Sequence, residues 1–368
     1  MNKILSILIL FFLISTSAFA TYRIENVVSG GTTGNTRTNT SYEYISRLVW
    51  DGGDKILDFQ HEGGDLAPDP KGVIICREYS ISGNSWGAEV EVYDPGVSNS
   101  TFDHFARISN VTIQLYMDIY DVGDTFNGSS AKMVRIVSDA LSCTANWSAA
   151  TTVFTGYAGH PAGWFEHPTN SSIKYMPVGG ISGANKLSLL QTSDEGATFT
   201  QGPIAFGSAI SLSETGCVQK PSNLNKMLCV MRDNGGDYIY ASSSSDGGQT
   251  WTPPYSTGIG SGPGDVTVTP KLILASGNDD RVILYFYDRG YARSVISGPT
   301  LFDNAMQNNW IPLYFLTNVA NQGNGDIVGY HNDGYKYMIT TADETGSDTD
   351  PTNTLWWISK DIYMNTKF

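Results

Sequence analysis

Ser244-Ser245-Asp246-Gly247-Gly248-Gln249-Thr250-Trp251 has the form S-x-D-x-G-x-T-W, and Thr192-Ser193-Asp194-Glu195-Gly196-Ala197-Thr198-Phe199 repeats it with Thr for Ser and Phe for Trp. Each position has a task in a tight turn. The Asp accepts hydrogen bonds from amides of its own turn, the Gly takes the positive φ, and the terminal aromatic fills the gap between neighbouring sheets. Two copies in the same phase specify a repeat where one alone would not. Decayed copies flank them. Gly83-Asn84-Ser85-Trp86 keeps the end of the pattern, Ser138-Asp139 with Asn146-Trp147 keeps both ends around an insertion, and Asn308-Asn309-Trp310 keeps only the aromatic. The anchors Trp86, Trp147, Phe199, Trp251 and Trp310 then recur with a period of roughly fifty to sixty residues, a mark of propellers and solenoids.

Each period holds about four strand-like runs. In the first they are Tyr44 to Trp50, Lys55 to His61, Gly72 to Tyr79 and Trp86 to Tyr93. In the fourth they are Cys217 to Gln219, Met227 to Met231, Tyr238 to Ser242 and the run from Trp251. The repeated turn falls between the third and fourth strands. Five anchors mark five blades. Tyr22 to Val28 and Thr354 to Tyr363 remain at the two ends, and joining them in one sheet would close a ring with no free sheet edge. The expected fold is therefore all-β: a six-bladed β-propeller of four-stranded antiparallel blades, one domain over residues 21–368. Two separate β-sandwiches are the alternative, but no linker rich in Pro or charge divides the chain.

Residues 1–20 read as a secretory signal. Lys3 precedes the apolar run Ile4 to Ile14, and Ala18-Phe19-Ala20 gives a small-residue cleavage pattern, with Thr21 the expected mature start. No second apolar run is long enough to span a bilayer, so the expectation is a secreted or periplasmic protein without stable membrane insertion. Acidic residues outnumber basic ones 36 to 22, a formal net charge of −14. That excess repels nucleic acid and anionic lipid, while a local basic pocket could still hold an acidic sugar. Cys76, Cys143, Cys217 and Cys229 permit two disulfides in an oxidising compartment. Cys217 and Cys229 flank the turn Pro221 to Asn225 and could face each other across a hairpin, and buried free thiols are the other reading. No Cys-x-x-Cys occurs, and His61, His104, His160, His167 and His331 lack metal spacing, so neither a metal nor a cofactor is expected.

The repeated boxes and the blade count resemble the sialidase (neuraminidase) superfamily, whose propellers carry Asp-box repeats. The resemblance covers most of the mature chain. It places the boxes on the face away from the site, and the site on the rim where first strands begin and second strands end. Glu214, followed by Met227-Leu228-Cys229-Val230-Met231-Arg232, is similar to the sialidase pattern in which a Glu opens a blade and an Arg closes its second strand. The resemblance implies that Arg232, with Arg47 and either Arg289 or Arg293, grips a sugar carboxylate through guanidinium forks. Arg47 stands at the place of the family's Arg-Ile-Pro motif, without the Ile-Pro, while Tyr22-Arg23-Ile24-Glu25 looks closer to that motif but falls too early. Asp65, or else Asp69, matches the acid Asp of the loop in the first blade. Glu214 would tune the nucleophile. The family's nucleophile is a Tyr at the start of the last blade, but Gly325 or Asp326 stands there, with Tyr330 and Tyr335 further on. Asp326 could serve a two-carboxylate mechanism with Asp65.

The expected function is thus an exported sialidase-like glycoside hydrolase acting on terminal acidic sugars of glycans. The alternatives are a non-catalytic glycan-binding propeller, such as an adhesin or viral receptor-binding protein, and a propeller polysaccharide lyase with His61 as base.

Overall fold

The computed structural model describes residues 24–29, 46–62, 72–83, 85–124, 128–156, 159–179, 186–207, 212–233, 238–260, 267–274, 280–288, 293–297, 300–311, 313–315, 322–330, 336–343 and 354–358. Their strands form a β-propeller of antiparallel, mostly four-stranded blades. Five blades are each drawn from one continuous stretch. Blade I pairs Ser46–Trp50, Lys55–Glu62 and Val73–Ser80 in order, and both Ser85–Trp86 and Val90–Tyr93 add to its third strand. Blade II runs Asn99–Ser109, Thr112–Asp121, Lys132–Val137 and Thr151–Thr155. Blade III runs Phe165–Glu166, Lys174–Gly179, Lys186–Thr192 and Thr200–Gly207. Blade IV runs Leu212–Gln219, Met227–Asp233, Ile239–Ser244 and Tyr255–Ser256. Blade V runs Thr267–Leu274, Arg281–Asp288, Arg293–Ser297 and Leu313–Phe315, with Thr300–Leu301 added to its second strand.

A further sheet joins the two ends of the chain. Gln322–Tyr330, Lys336–Asp343 and Thr354–Ile358 are completed by Ile24–Ser29, which pairs antiparallel with Thr354–Ile358. Its first strand packs against the first strands of blades I and V.

Strand composition follows from this arrangement. The second strand of a blade has a sheet on either face, so Thr112–Asp121 and Arg281–Asp288 are buried along almost their whole length and show no polar alternation. The outer strands Ser85–Trp86, Thr151–Thr155 and Tyr255–Ser256 are short and partly exposed. Each aromatic anchor packs on a different hydrophobic cluster. Trp147 closes the cluster between blades I and II, Phe199 that between II and III, Trp251 that between III and IV, and Trp310 that between IV and V. Trp86 packs with Leu48, Ile56 and Tyr79 of blade I, where Val328 arrives from the sheet that joins the chain ends.

The two boxed turns make the same bonds atom for atom. Asp194 Oδ1 accepts from the Thr192 hydroxyl (2.7 Å) and the Thr198 amide (2.9 Å), and Oδ2 accepts from the Thr198 hydroxyl (2.7 Å). Asp246 Oδ1 accepts from the Ser244 hydroxyl (2.8 Å) and the Thr250 amide (2.9 Å), and Oδ2 from the Thr250 hydroxyl (2.5 Å). Burial works to raise Asp194, but the Thr198 hydroxyl and amide outweigh it and hold its carboxyl at about 2. Gly196 and Gly248 have φ of +81° and +86°. The decayed copy keeps part of this design, since Asp139 accepts from the amide and side chain of Asn146 at 3.0 and 2.7 Å. The insertion between them carries Cys143, which is bonded to Cys76 and so staples blade II to blade I. Cys217 and Cys229 are register partners in blade IV and form the second disulfide. Of the two readings of the cysteines, the paired one holds.

Candidate functional site

The first strand of each sheet lies innermost, and in four sheets it slips register against the second strand. The slips fall between Thr101 and His104, Ser213 and Thr215, Val268 and Lys271, and Gly323 and Asp326. A bulge bends its strand and re-aims a side chain, and bulges gather beside active sites. Here the residues at or beside the bulges are Asp103, Glu214, Lys271 and Asp326. Blade I supplies Arg47 from the second position of its inner strand. Blade III supplies His160, next to Pro161, which bridges to Val178. One charged or titratable residue thus comes from each sheet, near the same end of the inner strands.

Two of the six sit on unusual backbone. Glu214 has φ +25° and His160 φ +46°. Left-handed backbone at non-glycine residues costs about 1–3 kcal/mol each and persists where the surroundings over-determine it.

The electrostatics tie the cluster together. Arg47 Nη2 donates to both oxygens of Asp103, at 2.8 and 3.1 Å, and its Nε donates to the His104 carbonyl at 2.9 Å. Asp103 also meets His160 Nδ1 at 2.9 Å. Arg47 is 6% exposed and Asp103 1%. Burial would raise the Asp103 carboxyl, but Arg47 and His160, with help from Lys271, hold it well below the usual carboxylate range. The Lys271 ammonium is brought down to about 8 by burial and by Arg47, against the pull of Asp326, Asp103 and Glu214. Asp326 is raised by burial despite Lys271 and Arg47, and it accepts from the Leu48 amide at 2.9 Å. Glu214 Oε1 accepts from Arg232 Nη1 at 2.5 Å, each side chain being 17% exposed. Behind Asp103, on the second strand of blade II, burial and the Asp103 charge push Asp118 well above its ordinary value.

The structure therefore brings Arg47, Glu214 and Asp326 into one neighbourhood, with Arg232 beside Glu214. Asp65, Asp69, Arg289, Tyr335 and His331 lie outside the described residues, as do residues 1–23. Arg293 opens the third strand of blade V, and Tyr330 closes the inner strand of the sheet that joins the chain ends. His61 is fully buried rather than on the rim. Sequence reasoning passed over Asp103, Asp118 and Lys271, and it noted His160 only for lacking metal spacing. The signal for Asp103 was its position: like Glu214, it lies a few residues into the first strand of its blade. Among the described residues no cluster of His, Cys, Asp and Glu could hold a metal ion.

The opposite end of the inner strands differs. There Trp164, Phe165, Cys217, Gln219, Leu274 and Val328 line an uncharged cavity of about 410 Å³. The charged cluster lies at the other end.

No family model matches the sequence, and no curated protein matches it. Solved structures do resemble the fold. A protein of unknown function from Dyadobacter fermentans matches with a TM-score of 0.68 at 14% identity, over 92% of this chain and 99% of the other. The intramolecular trans-sialidase of Ruminococcus gnavus, solved with oseltamivir carboxylate, matches at 0.61 and 12% identity, over 92% and 97%. An α-L-arabinofuranosidase of Fusarium graminearum, solved with an iminosugar inhibitor, matches at 0.56 and 12% identity, over 90% and 98%. At these identities the likeness establishes the fold alone: the chain is built as a β-propeller, as these structures are.

Proposed function

We propose that this chain is an exported, glycoside-hydrolase-like propeller that acts on terminal sugars of glycans at the charged end of its inner strands. The observation that carries the reading is the convergence of Arg47, Asp103, His160, Glu214, Lys271 and Asp326, one from each sheet, through bulges and strained backbone. The sheet that joins the chain ends serves in this reading as the sixth blade and supplies Asp326. Sialidase and arabinofuranosidase neighbours share the fold and support sugar chemistry as the class.

Glycosidic cleavage needs one carboxyl that holds a proton for the leaving oxygen and a second carboxylate that activates water or attacks the sugar. Asp326, raised by burial, suits the first role. Glu214 suits the second, because its bond to Arg232 fixes the direction of its carboxyl. Lys271 feels both carboxyls and balances their charge. Asp326 thus occupies the place at which the family resemblance leads one to expect the tyrosine nucleophile, but takes the acid's role, and the nucleophile's or base's role falls to Glu214. The acidic-sugar expectation needs open guanidinium forks, whereas Arg47 and Arg232 each face a carboxylate of the chain's own. The proposal is accordingly limited to glycans and to cleavage of a terminal sugar.

A panel of fluorogenic glycosides, sialoside included, tests it. Turnover of at least one member, lost in Glu214→Gln and in Asp326→Asn, is the expected result. A second reading, a glycan-binding propeller without catalysis, is favoured by that same mutual neutralisation, and binding without any turnover would establish it in place of the first. The buried position of His61 weighs against the lyase reading, which needs a base that meets the polymer. Export is tested separately: the mature protein should begin at Thr21.

A further inference from the structure

We infer that the terminal sugar taken by this site is neutral, with no carboxylate gripped by Arg47. The inference rests on the glycan reading above and names its substrate class. Arg47 is one of the arginines to which the family resemblance assigns an acidic sugar, and its Nε and Nη2 are taken from within. One guanidinium nitrogen holds both Asp103 oxygens, and Nε holds the His104 carbonyl. Asp103 is itself fixed from a second side by His160. An incoming carboxylate would have to evict a buried, doubly held one, and the evicted group would be left in a site with little water.

The balance of charge points the same way. Arg47 faces Asp103 and Arg232 faces Glu214 in direct ion pairs, and Lys271 has Asp326 as its strongest electrostatic counterweight. Cations and carboxylates match among these residues, and Asp118 adds a further carboxyl behind Asp103. The whole molecule carries a formal net charge of −14, which works against the approach of any anion. A neutral sugar asks for what such a site provides: fixed donors and acceptors for hydroxyls, with no surplus of positive charge among the described residues.

The test uses the full mature chain and a glycan array of matched pairs. These are galactose against galacturonic acid at the terminus, and desialylated against sialylated N-acetyllactosamine. The neutral member of each pair is expected to bind at least about tenfold more tightly, a difference of about 1.4 kcal/mol. Equal binding, or preference for the acidic member, overturns the inference while leaving the glycan reading intact. Binding to neither class overturns both. Asp103→Asn empties half of the fork at constant size, and in that variant the ratio of acidic to neutral affinity should rise at least about fivefold. An unchanged ratio in folded Asp103→Asn contradicts the role given to Asp103. Should that variant not fold, the matched pairs on the native chain decide alone.

Discussion

The two ends of the inner strands were built by different rules. At one end Asp194 and Asp246 complete their turns with partners no more than four residues away, and the two turns make identical bonds. At the other end Arg47 meets Asp103 across 56 positions of chain, and the Leu48 amide meets Asp326 across 278. The local end sets the repeat and the packing. The long-range end joins the sheets through charge, and positive-φ residues other than glycine occur at both ends, Glu214 and His160 at this one and Glu195 in a boxed turn. The division is one between local and long-range bonding, and each substitution below measures what one side of it contributes to stability.

The largest effect is expected at the long-range end. Arg47→Ala should cost about 3–5 kcal/mol, because it leaves the buried Asp103 without its guanidinium. Chemical denaturation measures it, and a loss below about 1 kcal/mol would show the pair to be as weak as an exposed one. Next comes the tie between blades I and II. Replacing Cys76 and Cys143 together by Ser should cost about 2–4 kcal/mol, read as a lower midpoint under non-reducing conditions. The local end follows. Asp246→Ala strips three acceptor bonds from one turn and should cost about 1–3 kcal/mol.

The smallest effect sharpens the contrast inside blade II, where Asp103 and Asp118 lie on adjacent strands with opposite shifts. Asp103 is held below its ordinary value of 3.8, so its stabilising contribution is full above that pH and fades as pH falls through the folded value. Asp118 is raised, so above 3.8 the folded chain holds a proton that the unfolded chain has lost, and its contribution falls as pH rises. Asp118→Asn should therefore raise the melting temperature at pH 7 by a few degrees, with the gain vanishing near pH 4. A lower melting temperature at pH 7 would mean that Asp118 has a partner the fold relies on.

The same division explains what the sequence disclosed. The boxes were legible because all their bonding groups lie within eight residues. The second and third strands of the first and fourth repeats came out within two positions, because each is bounded by a turn of recognisable composition, whereas the fourth repeat's first strand begins at Leu212 rather than Cys217 and the expected strand Trp86 to Tyr93 divides in two. The joining of the chain ends was legible from the leftover segments, since an open ring would leave sheet edges bare. Of the charged cluster, the sequence pointed to Arg47, Glu214, Arg232 and Asp326, each through a family pattern. Asp103 and Lys271 escaped because a bulge leaves no clear mark in composition. It is a misfit between two strands, and neither strand alone reveals it. Arg47 was legible as a cation near the site, but its partner was not, because Asp103 belongs to the next blade.

The central claim is that the charged end of the inner strands, and not the boxed end, meets the glycan. Titration of one glycan that binds the native chain into Glu214→Gln and into Asp246→Ala tests it most directly. The account predicts that Glu214→Gln loses at least about tenfold in affinity while folded Asp246→Ala stays within about twofold of the native chain. Full affinity in Glu214→Gln together with a loss in folded Asp246→Ala would contradict it.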